Sequence, residues 1–421
     1  MHQATLHTPP PLPAGHSDHA VELPEAYRLR SQRIIHDPNK LPWPLSLEER
    51  AYFEASPEQL LGRLPFAVST HYLSLVCGDD PNDPVRRQIV PRAAELEHKD
   101  YELRDPLGED QYSHNSRHGK PRNQAPPGAA PEDSAKMAAA QSRMVHCYAS
   151  RLLILLGDTC ATYCRHCFRR RFSGQSMGTL QYGHLRSISH YLQQHPEIRE
   201  ILLTGGDALM MSTDHLDGIL CELRRVRPDV VFRIASRLPV VMPQRFEPDL
   251  LAVLRRHQPL WLITHFNHKQ EINEVTRYFL ARIVDAGIPI LNQAVLLRGI
   301  NDSVQTLADL LEELVRLRVK PYYLFQGDLA EGTAHLRVPL ERGWSIVKEL
   351  RSRLSGIAMP QFAVDLPGGG GKVPLTESYL IGEEGNDWLF RSPQGNLYRY
   401  PKESEESKDE PKLRDTTQRT Q

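Results

Sequence analysis

From about residue 150 onward the hydrophobic positions fall into short runs separated by longer amphipathic stretches. Runs at 152–156, 201–204, 231–235, 260–264, 289–295 and 321–326 have strand-type apolar composition, and the last five begin about 30 residues apart. Between them apolar residues take helical spacing, as with Val304, Leu307, Leu311 and Leu314. Strand plus helix at this period is the pattern of βαβ units whose strands pair in parallel. Six such units predict an α/β fold built as a partial parallel (βα)6 barrel over 143–345. Ligand-binding residues then belong on the loops that follow the C-terminal ends of the strands.

Upstream the pattern changes. Residues 1–43 are rich in Pro and His without periodicity and read as a flexible N-terminal arm. Ser46 with Glu49, and Ser56 with Gln59, have the spacing of capping boxes, the second with Pro57 at the first helical position, and they predict an N-terminal helical domain over 44–112. Over 113–142 the composition shifts to Ser, Asn, Gly, Pro, Ala and Lys, a flexible insertion unable to bury enough apolar surface to order itself. Residues 346–400 carry a glycine-lysine segment and a C-terminal extension, and 401–421 form a charged tail expected to be disordered.

Composition narrows the functional classes. With 421 residues and a 40% hydrophobic share the chain can build a sizeable core. Lys plus Arg (51) against Asp plus Glu (52) leaves a formal charge of -1, so no overall basic field points to nucleic acid. Six cysteines in a chain of this length, three of them in one short window, do not resemble a disulfide framework, and a reducing compartment fits better. No apolar leader precedes the Pro-rich start, and the run 152–156 is far too short to span a bilayer, so the expectation is a cytoplasmic protein with no membrane partner.

The candidate chemistry clusters at predicted strand ends. Cys160, Cys164 and Cys167 follow the first strand as Cys-x3-Cys-x2-Cys. Three thiolates leave one coordination position of a metal centre open, whereas structural zinc and most iron-sulfur cubes take four protein ligands. A zinc knuckle and unliganded loop thiols are the bland alternatives. The second strand ends in Thr204-Gly205-Gly206-Asp207, where glycines permit close backbone approach. His265 follows the fourth strand and Gln293 lies in the fifth, polar positions where a packed core prefers apolar ones. Residues 365–374 read Asp-Leu-Pro-Gly-Gly-Gly-Gly-Lys-Val-Pro. The glycines free backbone N–H groups to face an anion, and Lys372 could hold a phosphate or form a Schiff base. A P-loop is excluded by spacing, because Leu366 stands where its first glycine belongs and Val373 follows the lysine. A flexible turn is the competing reading.

The cysteine spacing, with Tyr163 before the second cysteine, resembles the cluster loop of radical S-adenosylmethionine enzymes. Taken with the glycine-lysine segment, with residues 64–68 (Leu-Pro-Phe-Ala-Val) and 83–91 (Asp-Pro-Val-Arg-Arg-Gln-Ile-Val-Pro), and with Asp105-Pro-Leu-Gly-Glu-Asp, the chain resembles the lysine 2,3-aminomutases over roughly residues 40–375. The resemblance implies a barrel of radical S-adenosylmethionine type and a [4Fe-4S] cluster on Cys160, Cys164 and Cys167. It implies S-adenosyl-L-methionine near Gly205, Gly206, Asp207, His265 and Gln293, and pyridoxal 5'-phosphate on Lys372 with Tyr148 and Arg151 beside it. Asp328 and Asp365 would hold the side-chain ammonium of lysine, Arg169 its carboxylate. The same resemblance implies a small-molecule amino acid substrate and an electron donor such as flavodoxin or ferredoxin, and leaves a homo-oligomer open. Two departures stand out. Cys147 occupies a place where many relatives carry a basic residue, and no cysteine follows Cys221, so the relatives' C-terminal zinc site is missing. Another amino acid, a lysine on a translation factor, or a non-catalytic zinc or iron-sulfur module remain the alternatives.

Overall fold

The computed structural model describes residues 33–114, 143–175 and 177–402. The arm up to residue 32, the insertion from 115 and the tail from 403 lie outside the described residues. The expected N-terminal helical region consists of short helices at Leu47–Phe53, Pro57–Leu60, Thr70–Leu73 and Glu109–His114, joined by extended chain and a two-stranded pair, β1 (Ile34–Ile35) with β2 (Val68–Ser69). Both capping boxes form: each serine hydroxyl accepts the backbone N–H three residues on, and the Glu49 or Gln59 side chain accepts the serine's own N–H.

Everything downstream is organised by one nine-stranded sheet. Its strands are β3 (Met144–Tyr148), β4 (Arg151–Gly157), β5 (Glu200–Gly205), β6 (Val231–Ala235), β7 (Leu260–Thr264), β8 (Ile290–Leu296), β9 (Val319–Gln326), β10 (Gln361–Leu366) and β11 (Gly371–Pro374), and they lie in the sheet in chain order. β4 to β10 pair in parallel, and β3 and β11 close the two edges antiparallel. Helices between the parallel strands supply the apolar faces that cover the outside. On the helix Val304–Arg316, Leu307, Leu311 and Leu314 are fully or almost fully buried, and the first two pack with Leu296, Leu324 and Phe362 from three strands. Each such leucine contributes roughly 2 kcal/mol of burial.

All six predicted strands are present, their ends shifted by at most two residues. Three further strands of this sheet, β3, β10 and β11, were not predicted, and they carry chemistry. The glycine-lysine segment is the turn and return strand of a β10–β11 hairpin, in which Asp365 and Lys372 are register partners. The first and last strands also meet: the Lys372 N–H donates to Tyr148 Oη at 3.1 Å, so the sheet curls far enough for its ends to touch at one point. A separate antiparallel sheet, β12 (Leu380–Glu384), β13 (Asp387–Arg391) and β14 (Leu397–Pro401), makes up the C-terminal extension.

The loop after β4 is fastened to residues 33–114 by buried charge. Arg165 is fully buried, and its Nε and Nη2 donate to the two Glu95 oxygens at 2.9 and 2.6 Å, while Arg170 Nη2 donates to the same carboxylate at 2.7 Å. Burial alone would raise the Glu95 carboxyl, but Arg165 and Arg170 overcome it and hold it down at about 2. Removing one member of such a network strands the others in low dielectric. Glu95→Gln is therefore expected to lose about 3–5 kcal/mol of stability at neutral pH, read by chemical denaturation; a variant as stable as the parent would show that the loop is fastened by something else.

Candidate active site

The C-terminal ends of the parallel strands open into a cavity of about 380 Å³, lined by the cysteine loop on one side and by β9, β10 and β11 on the other. Every candidate residue from the sequence lies on its wall: Cys160, Cys164, Cys167, Tyr148, Arg151, Arg169, Gly205, Gly206, Asp207, His265, Gln293, Asp328, Asp365 and Lys372. Positions separated by more than 200 residues in the chain thus share one space because each lies in, or on a loop following, a strand of the same curled sheet.

The cysteine loop is shaped by its neighbours. Gly206 N donates to the Gly157 carbonyl at 2.7 Å and Asp207 N to that of Thr159 at 2.9 Å. A Cβ on Gly205 would collide with the Gly157 carbonyl and one on Gly206 with Asp158, so the close approach that these glycines permit is to the start of the cysteine loop. The Asp207 carboxylate, raised above its ordinary value by burial, accepts from Ser236 Oγ, the Leu209 N–H and the Arg237 N–H. Its role is to fix the loop around Arg237. That arginine was not singled out from the sequence, yet its Nη1 donates to Cys164 Sγ at 2.7 Å.

The donor set suits a metal cluster. Burial, with Asp207 and the other thiols adding, pushes Cys160 well above the usual thiol value, and burial with Cys164 raises Cys167, so these sulfurs call for a cation to become thiolates. Among the described residues, three metal-type ligand atoms gather within 4.8 Å of one another only at Asp217, Cys221 and His257, away from the cavity. His265 stands nearby with Nδ1 3.1 Å from the Gln293 carbonyl; burial and then Arg237 lower it to about 4, which keeps the ring neutral.

On the opposite wall Lys372 Nζ lies 2.9 Å from Asp365 Oδ2 and 3.9 Å from the Phe325 ring centre. The glycines before it are packed rather than free: Gly368 N donates to Pro106, and Gly368 and Gly369 carbonyls accept from Gln111 Nε2 and Tyr112 Oη. A Cβ on Gly369 would strike the Tyr112 ring, so close packing explains this glycine better than an anion nest does. Tyr148 and Arg151 meet at the sheet edge, the guanidinium 4.8 Å from the ring centre, with Cys147 beside them.

Arg169 is not free. Its Nη2 donates to Glu109 Oε1 at 2.7 Å and its Nη1 to Thr204 Oγ1 at 2.7 Å, both partners missed by sequence reasoning. Among the described residues no cation hydrogen-bonds the Asp328 carboxyl. Burial, then the neighbouring Asp365, raise its carboxyl to about 7, with Lys372 opposing.

Comparison with known proteins shows which family the chain resembles. Residues 347–418 match a family model described as Lysine-2,3-aminomutase. The L-lysine 2,3-aminomutase of Clostridium subterminale is 40% identical over 357 residues, covering 85% of this chain and 79% of that protein. The chain belongs to the lysine 2,3-aminomutase family. It is accordingly an isomerase, an aminomutase. The Bacillus subtilis (strain 168) L-lysine 2,3-aminomutase is 39% identical over 338 residues, covering 80% of this chain and 66% of that protein. The glutamate 2,3-aminomutase of Clostridioides difficile (strain 630) is 35% identical over 335 residues, covering 79% of this chain and 73% of that protein. Among solved structures, Streptococcus suis SuiB bound to S-adenosylmethionine aligns at a TM-score of 0.39 and 10% identity, covering 55% of this chain and 54% of that chain.

Asp328 gives a testable pH signature. Unfolded, its carboxyl ionises near 3.8, whereas folded it keeps the proton up to about 7, so the folded chain binds more protons in that window and this group's contribution falls as pH rises through it. Asp328→Asn should stabilise the ligand-free protein at pH 8 by a few kcal/mol and leave it unchanged at pH 3. Parallel stability curves for the two proteins from pH 3 to 8, by thermal denaturation, would refute the assignment.

Proposed function

We propose that this chain is a radical S-adenosylmethionine, pyridoxal phosphate-dependent L-lysine 2,3-aminomutase, moving the 2-amino group of L-lysine to C3. The observation that carries this reading is the meeting of the three-cysteine loop with Asp328, Asp365 and Lys372 in one cavity. Cys160, Cys164 and Cys167 would hold a [4Fe-4S] cluster. S-adenosyl-L-methionine would lie between that loop, Gly205, Gly206, His265 and Gln293, and Lys372, Tyr148 and Arg151 would hold pyridoxal 5'-phosphate. When bound, these groups supply a 5'-deoxyadenosyl radical that takes and returns one hydrogen, and a conjugated ring that carries the unpaired electron through the amino shift.

The chain's own residues bind, orient and exclude water. Arg169, held in a fixed plane by Glu109 and Thr204, would meet the substrate carboxylate with the N–H groups those partners leave. Asp328 and Asp365 supply the two carboxylates that an ammonium needs for charge-assisted hydrogen bonds. A glutamate side chain would bring a third carboxylate to that pair, and the repulsion favours lysine over glutamate. His265, uncharged beside the cysteine loop, offers a neutral hydrogen-bonding edge. Tyr163, 7% exposed, and Val241 close the wall around the loop.

A low-potential one-electron donor such as flavodoxin or ferredoxin would reduce the cluster. The cysteines form no disulfides among the described residues, which fits a reducing, cytoplasmic setting; among the same residues no helix is long and apolar enough to cross a membrane.

Anaerobic reconstitution with iron, sulfide, pyridoxal phosphate and S-adenosylmethionine, followed by product analysis, tests the reading. β-Lysine should form from lysine and no β-glutamate from glutamate; absence of both products would defeat it. Asp328→Asn is expected to raise KM for lysine about ten- to hundredfold, roughly 1.4–2.8 kcal/mol. Cys164→Ala should abolish turnover.

A further inference from the structure

Arg237 makes more directed contacts than any charge pairing would need. It follows β6 and is 8% exposed. Its Nη2 reaches Gln88 Oε1 at 2.6 Å, Glu271 Oε1 at 2.7 Å and Tyr72 Oη at 2.9 Å; its Nε donates to the His265 carbonyl at 3.2 Å; and its backbone N–H is held by Asp207 at 2.7 Å. Tyr72 and Gln88 come from the N-terminal segment, Glu271 and His265 from the region after β7. With the rest of the fork so engaged, Nη1 is left aimed at Cys164 Sγ, 2.7 Å away. Cys167 is treated differently, with the Ser173 hydroxyl 3.9 Å away.

We propose that Arg237 sets the reduction potential of the cluster, acting as a fixed cationic hydrogen-bond donor to the Cys164 thiolate whose field Glu271 partly offsets. This rests on the reading that the cysteine loop holds a [4Fe-4S] cluster. Reduction adds one electron from the external donor and makes the cluster more negative. Hydrogen bonds to ligand sulfurs and nearby net charge are what tune such potentials, and a cation at the sulfur favours the reduced form more than the oxidised one. Glu271 has the opposite influence. Its carboxylate is also held by the Asn267 and His268 N–H groups, so it stays in place as a counter-charge when the cluster changes state. Arg237 is a positioning and tuning residue in this account, and Arg237 and Glu271 together form a bias of opposed signs.

The opposed signs supply the test. Full-length chain, anaerobically reconstituted, is titrated with titanium(III) citrate while the reduced cluster is followed by electron paramagnetic resonance, with iron and sulfide per chain measured in every variant. Arg237→Gln is expected to lower the midpoint so that, at the parent's midpoint, the ratio of reduced to oxidised cluster drops about tenfold, roughly 59 mV for one electron. Glu271→Gln, which leaves the guanidinium without its counter-charge, should move the midpoint upward. Arg237→Lys, retaining the charge, should fall between Arg237→Gln and the parent. Equal midpoints at equal iron content, or shifts of both glutamine variants in one direction, overturn the proposal, because loosened packing would move both alike. If Arg237→Gln cannot retain the cluster, Glu271→Gln decides alone: a rise supports the proposal and any other result overturns it. Failure of the parent to take up four irons would overturn the cluster reading as well, whereas an intact, unshifted cluster overturns this inference only.

Discussion

Arg165, Arg169 and Arg170 of the cysteine loop and Arg237, which reaches Cys164, are all buried, and four guanidinium groups cannot be desolvated without counter-charges. Three glutamates supply them. Glu95 takes Arg165 and Arg170, Glu109 takes Arg169, and Glu271 takes Arg237, each at 2.6 to 2.7 Å. Two of the three come from the segment before β3, and the third from the loop after β7. The N-terminal segment is therefore part of the site's electrostatic structure, and the irregular cysteine loop keeps its shape because its charges are fixed from outside.

One short helix extends that logic across the cavity. Glu109–His114 holds Arg169 of the cysteine loop through Glu109, while Gln111 and Tyr112 hold the carbonyls of Gly368 and Gly369 on the other wall. The two chemical halves are thus referenced to a common element. Asp110, from the same helix, pairs with Arg171 at 2.9 Å. A displacement of this helix would move the Arg169 guanidinium and the lysine hairpin together, so their separation is protected even though their strands lie at opposite ends of the sheet.

What could be read from the sequence was what is local or periodic. Capping boxes at Ser46 and Ser56 span three residues, the six strands repeat with their helices, and the cysteine and glycine-lysine motifs are contiguous; all appear where expected. The β10–β11 hairpin escaped because glycines mask a strand pattern and Asp365 reads as part of a motif. Glu95, Glu109 and Arg237 escaped for a different reason. Arg165 and Glu95 are 70 residues apart, Arg169 and Glu109 60, and Arg237 and Cys164 73, with no periodicity linking the partners. Exposed arginine–glutamate pairs look the same in sequence as buried ones, and only the fold distinguishes them. The glycines at 205, 206 and 369 were legible, but their backbone and aromatic neighbours, Gly157, Asp158 and Tyr112, were not.

The charge state of Lys372 links the two walls to substrate choice. With Nζ protonated, Asp365 is its counter-ion, and Asp328, buried beside Asp365, retains its proton up to about 7. Drawing the Lys372 nitrogen away from Asp365, as bonding to an aldehyde cofactor would, would leave two adjacent carboxyls sharing a buried space. They cannot both be ionised there without a replacement positive charge. The ammonium of a lysine side chain is such a charge; a carboxylate is the reverse. Under the proposed function, cofactor attachment at Lys372 and preference for a cationic side chain would both follow from this one arrangement of Asp328, Asp365 and Lys372.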